Sequence, residues 1–153
     1  MARQPQSSHP ALSHADSFAA SSADLIQLVG RILMGILFLT AGWGKLTNVA
    51  GATGYFNSLG LPSPDMLPYL VGGLELAMGV CLILGLATRY AALAAFIFVL
   101  VATAIAHRYW AYPPQAQAAQ YAQFTKNLAI MGGALYVLVS GAGRFSLDAM
   151  LRR

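Results

Sequence analysis

Glu75 is the side chain of this sequence with the most obvious capacity for chemistry. It is the one charged residue of LPYLVGGLELAMGVCLILGL, residues 67–86, a run of about the length a helix needs to cross a bilayer. A carboxylate at the centre of such a helix costs about 2.5–3.5 kcal/mol on insertion scales. A partner, a ligand or water inside a bundle must offset that cost. Gly72 and Gly79 share the helix face of Glu75, because residues three and four apart stack on one side. Glycines there let a neighbouring backbone approach closely, which turns the face inward. Two roles stay open: an ion pair or hydrogen bond that fixes packing, or a carboxyl group that moves protons or holds a ligand.

Depth along the helices orders the possible partners. At about 1.5 Å per residue, Glu75 lies about 12 Å from the outer end of its run. Arg31 lies about 9 Å from the inner end of the first apolar run, leaving an axial gap of roughly 9 Å in a core about 30 Å thick. Arg31 is therefore the expected charge partner of Glu75, with snorkelling to the inner interface as its other reading. His107 closes the third apolar run and is either a wet helix-end histidine or a donor of protons or hydrogen bonds to a quinone-like carbonyl. Lys45 follows Trp43 in AGWGK, a pattern typical of a membrane anchor. Asn127 opens the fourth run, where it caps the helix or reaches across to Glu75 or His107. Glu75 and His107 are thus the candidate proton-transfer groups, and Arg31, Lys45 and Asn127 the candidate lining of a polar pocket.

The templates of soluble enzymes are missing. The sequence has no GxGxxG after a strand, no Walker loop, no GxSxG, no paired carboxylates and no Cys/His zinc spacing, so no metal site is expected. His9 and His14 fall in a polar segment and read as solvated. Cys81 is the single cysteine, which rules out an intrachain disulfide or a CxxC pair. Redox chemistry would then need a bound cofactor or a partner subunit. No cofactor is named by these residues; a quinone is the class that a membrane site of this kind would take.

The elements that must position these residues follow from composition. The 153 residues are 58% hydrophobic and 9% charged, against about 25% charged in soluble domains. The expectation is an all-α integral membrane four-helix bundle. Its parts are a disordered polar tail at 1–24, a transmembrane domain at 25–148 and a basic C-terminal tail at 149–153. Spans are expected at about 25–46, 67–86, 90–106 and 124–142, with Asp24 capping the first and GLATR at 85–89 forming a tight turn. Gly and Pro mark 47–66 as a loop, in which Tyr55 and Phe56 sit at the interface, and 111–123 as another. The formal charge of +4 comes mostly from residues beside apolar runs, which points to lipid headgroups and topology rather than nucleic acid. An inside N-terminus puts Arg3, Arg89, Arg144, Arg152 and Arg153 inside and Lys45, Arg108 and Lys126 outside, which favours both termini in the cytoplasm.

Taken in order, GRILMGILFLTAGWGKL, GGLELAMGVCLILGLATRYAAL, AHRYW and FTKNLAIMGGALYVLVSGAGRFSLD form a pattern over residues 25–148. The chain resembles the DoxX family of small four-span bacterial membrane proteins. The resemblance implies a bundle in the bacterial cytoplasmic (inner) membrane. That family is named for a subunit associated with a quinol oxidase or a thiosulfate:quinone oxidoreductase. Other members are labelled oxidoreductases and linked to quinone, catechol or thiol stress. The family's polar positions fall here on Arg31, Lys45, Glu75, Arg89, His107, Asn127 and Arg144.

Three functions follow as expectations. The first is a membrane oxidoreductase or redox-complex subunit linked to quinone or oxidative-stress metabolism, with Glu75, Arg31 and His107 forming a polar site between helices. The second is a non-enzymatic scaffold or accessory subunit whose tail, GRFSLDAMLRR, docks a soluble redox enzyme. The third, less favoured, is a small-molecule transporter, four spans being able to work as a dimer or other homo-oligomer. The lipid bilayer is the common partner of all three.

Overall fold

The structure, a computed structural model, describes residues 10–152. Six α-helices follow one another among the described residues, with a short 3-10 helix at Tyr109–Ala111 between the fourth and fifth: α1 (Pro10–Thr47), α2 (Val49–Ser58), α3 (Leu67–Leu84), α4 (Thr88–Ala106), α5 (Pro114–Ser140) and α6 (Leu147–Leu151). No strand occurs among the described residues. Of the tail expected to be disordered, residues 1–9 lie outside the described residues, whereas 10–24 belong to α1, exposed over residues 12–21. Alanine-rich sequence sustains a helix without any apolar face. The same reason corrects the two expected loops. Asn48 Oδ1 accepts from Gly51 N at 3.1 Å and starts α2, and Pro114 starts α5 ten residues before the apolar run, where a proline is tolerated in the first turn.

Leu12–Thr47, Leu67–Leu84 and Thr88–Ala111 are long and apolar enough to cross a membrane. α5 is longer than α4 but polar over its first half. Its second half exposes Leu135, Tyr136 and Val139, and the other long helices expose large apolar side chains as well, such as Leu33, Leu70 and Ile97. An apolar belt of this extent is a lipid-facing surface.

Two antiparallel pairs build the bundle, α1 with α3 and α4 with α5, and α3 packs on α4 to join them. Within the first pair, backbone meets backbone. A Cβ on Gly42 would lie 2.6 Å from Gly72 O and 2.8 Å from Leu76 N, and one on Gly79 would lie 2.8 Å from Gly35 O. Gly35 and Gly42 are seven residues apart, as are Gly72 and Gly79, so two glycines on each helix form one continuous seam. Between membrane helices such van der Waals contact is a main source of association. The α4–α5 pair closes on Ala91, Ala95 and Ala134, and Phe38, Met78 and Leu82 fill the centre.

α3 ends at Gly85, whose φ is 67°. A Cβ there would run into the Arg31 guanidinium and Ser146. Glycine is therefore required twice over, for its conformation and for its size.

Candidate functional site

The glycine seam decides where Glu75 points. Gly42 faces the Glu75 Cβ, and Lys45 stands three residues further along α1. Lys45 Nζ donates to Glu75 Oε1 at 2.9 Å and Oε2 at 2.7 Å. The lysine curls back one turn to get there, with Nζ 3.4 Å from Ala41 O. Glu75 is 5% exposed, while the Lys45 side chain retains 24%. The ion partner of Glu75 is thus Lys45, and the expected pairing with Arg31 is overturned. Residue counts had set Lys45 about 12 Å above the carboxylate; the register of the two helices and the length of the lysine stem remove that gap.

Arg31 lies at the other end of the bundle, fully buried. Its Nη1 donates to Leu82 O at 2.9 Å and Ile83 O at 3.3 Å, and its Nη2 to Phe145 O at 2.6 Å. A guanidinium at the last carbonyls of α3 satisfies groups that the helix cannot and meets the negative end of its dipole. Arg89 treats α5 in the same way, donating from Nη1 to Leu138 O and, at 2.8 Å, to Val139 O. Asp148 completes this end: Oδ1 accepts from Ala87 N at 2.7 Å and Oδ2 from Thr88 N at 2.9 Å, so α4 is capped by a residue 60 positions away. Burial alone would raise the Asp148 pKa; the bonds from Thr88 and Ala87, with Arg152 nearby, outweigh it and hold the carboxyl below its ordinary value. Arg144 N donates to Asp24 Oδ1 at 2.9 Å. Asp24 lies inside α1 and is not its cap.

Asn127 and His107 lie along the α4–α5 seam. Asn127 Nδ2 donates to Thr103 Oγ1 at 2.8 Å, and the threonine hydroxyl donates to Val99 O at 2.6 Å. Asn127 sits mid-helix, so it caps nothing. His107 Nδ1 meets Gln120 Oε1 at 2.9 Å, an acceptor that suits the Nδ1–H tautomer. The five candidate residues are therefore found in three places: Glu75 with Lys45, Asn127 and His107 on a second seam, and Arg31 at the far end.

A further feature went unnoticed in the sequence. A cavity of about 360 Å³ opens between α2, α3 and α4, lined by residues that include Tyr55, Phe56, Leu61, Val71, Phe98 and Ala102. Its lining side chains are apolar apart from the Tyr55 phenol. Burial, and then the neighbouring Tyr112, holds that phenol above its ordinary pKa. Val71 stands one helical turn from Glu75. The available signal was the Tyr55–Phe56 pair, whose place on α2 depends on a helix that glycine content had hidden. Among the described residues, no group of three or more His, Cys, Asp or Glu side chains is arranged to hold a metal ion.

A family model described as DoxX matches residues 26–108. The Escherichia coli (strain K12) protein named "Inner membrane protein YqjF" is 40% identical over 130 residues, which cover 85% of this chain and 95% of that one. A second protein of the same organism, "Inner membrane protein YphA", is 29% identical over 124 residues, covering 81% and 89%. In Bacillus subtilis (strain 168), "Putative oxidoreductase CatD" is 37% identical over 68 residues, covering 44% and 49%. No solved structure matches the chain.

Proposed function

The chain belongs to the DoxX family, and from that premise we propose a multi-pass subunit of the bacterial cytoplasmic membrane that holds a quinone-class ring for a redox partner. The observation that carries this reading is the cavity under α2. Its volume suits a single substituted ring, and its aromatic and aliphatic walls, from Phe56, Phe98 and Val71, suit a lipid-soluble one. In this reading the Tyr55 phenol, the one polar group among the lining residues, donates to a ring carbonyl. Electrons come from the partner, and each two-electron reduction of a quinone takes up two protons. Glu75 with Lys45, one turn beyond Val71, is the nearest buried acid–base pair, and His107 lies at the same end of the bundle as a route to water. The name of the Bacillus relative agrees with redox work. Both termini face the cytoplasm in this arrangement.

Equilibrium dialysis of a short-chain ubiquinone against detergent-solubilised protein tests the proposal. Saturable binding that is lost in Ala102→Trp, which fills the cavity, supports it. Absence of binding, or binding indifferent to that substitution, sinks it.

One observation favours a second reading. Arg31 and Asp148 hold the segment after α5 in place, and that segment exposes Phe145, Met150 and Leu151. An accessory subunit that docks a soluble redox enzyme would present such a fixed apolar edge. Co-purification of an enzyme that is lost in Met150→Ser/Leu151→Ser, without ring binding, would select it.

A further inference from the structure

The end of the bundle that carries α6 holds a polar cavity of about 290 Å³. Arg89 reaches it from the start of α4, Arg144 from the loop after α5 and Arg152 from the end of α6, with Ser140 and Ser146 between them. Asp148 also lines the cavity, but both of its oxygens accept from the first amides of α4, with Arg152 nearby. Asp24 accepts from the Arg144 backbone N–H but meets its guanidinium only at 3.8 Å, across exposed side chains, a pairing of small value. Three arginines thus line a cavity that holds one tied carboxylate.

Gly141 keeps the site open. Its φ is 81°, and a Cβ on it would come within 3.1 Å of Arg89 Nη2 and 3.5 Å of Nε. While Arg89 Nη1 is spent on the α5 carbonyls, its other edge therefore faces a residue without a side chain. Just beyond, Tyr90 and Val139 are 79% and 77% exposed, on the lipid-facing flank of the same two helices. Polar donors at a helix end above an exposed apolar flank match a phosphate head with hydrocarbon below it.

We propose that this cavity binds the phosphate of an anionic phospholipid headgroup. Guanidinium forks fit phosphate oxygens in pairs, and basic pockets between helices at the cytoplasmic face attract anionic lipid. The site is separate from the cavity under α2, at the opposite end of the bundle, and its test does not depend on ring binding.

Native mass spectrometry of the full chain in detergent, titrated with phosphatidylglycerol or phosphatidylcholine, measures it. Phosphatidylglycerol binds more tightly than phosphatidylcholine. Arg152→Gln weakens phosphatidylglycerol about fivefold, and Arg144→Gln/Arg152→Gln about twenty-fivefold, at roughly one basic contact each. Arg108→Gln, at the other end of the bundle, leaves it unchanged. Both altered arginines are exposed, so melting temperatures stay at the parent value and report that folding is intact. Equal retention of the two lipids, or indifference to both arginines, overturns the proposal. Inorganic phosphate that binds as tightly as phosphatidylglycerol and displaces it would make free phosphate the ligand and overturn the lipid assignment.

Discussion

Replacing Lys45 by methionine keeps most of the side-chain volume and removes the charge that answers Glu75. The carboxylate is 5% exposed and would lose donors at 2.7 and 2.9 Å. Removing one partner of a buried pair costs about 3–5 kcal/mol. Glu75 can limit the loss by taking up a proton, which at pH 7 costs about 3.7 kcal/mol from the reference carboxylate. The expected destabilisation is therefore about 3–4 kcal/mol. Glu75→Gln is the milder change. It leaves an acceptor for Lys45, and that lysine, with 24% of its side chain exposed two residues from the end of α1, straightens towards the headgroups. Its cost is about 1 kcal/mol. The double variant removes both charges and recovers at least about 2 kcal/mol of the Lys45→Met loss, a coupling expected of residues in contact. Unfolding of purified protein in mixed micelles of rising SDS content, followed by far-UV circular dichroism, reads all three. Glu75→Gln as damaging as Lys45→Met, or a double variant no better than Lys45→Met alone, would refute the assignment of Lys45 as the compensating charge.

Other perturbations separate the roles of the remaining polar and small residues. Arg31→Lys loses the fork that spans Leu82, Ile83 and Phe145; it costs about 2 kcal/mol and speeds tryptic cleavage after Arg144, whereas equal cleavage would mean that the chain end is held elsewhere. Gly79→Leu drives a side chain into the Gly35 carbonyl and costs about 3 kcal/mol in a thermal melt, while Gly30→Ala, with nothing within 4 Å, stays within about 1 kcal/mol of the parent. Asp148 has a folded pKa below its unfolded one, so its contribution is present above about pH 4 and disappears as pH falls through the folded value. Asp148→Ala lowers stability by about 1 kcal/mol at pH 7 and flattens the acid limb of the stability profile; an unchanged acid limb would contradict the cap.

The class of the molecule was legible because a charge deficit of this size has few physical explanations, and the apolar runs at 67–86 and 90–106 coincide with α3 and α4 to within two residues. The inward face of Glu75 was legible too, through Gly72 and Gly79. Its partner was not. Depth counted from residue 25 treats each helix alone, and the register that brings Gly42 against Glu75 is a property of the pair. Gly35 and Gly42 carried the missing information, since their spacing repeats that of Gly72 and Gly79. Arg31 misled for a different reason: its acceptors are backbone carbonyls, which leave no trace in residue type. The helices at 10–24, 49–58 and 114–123 were hidden because polarity and glycine content were read as loop, although alanine, glutamine and an asparagine cap favour helix locally. The cavity under α2 was lost with that helix.

The most direct measurement is the quinone content of protein solubilised gently from its own membrane. A lipid extract of the purified chain is expected to carry quinone at close to one per protein, and Ala102→Trp, folded with the same melting temperature, is expected to carry none. Quinone at background level in both proteins, or at the same level in both, would contradict a ring site beneath α2.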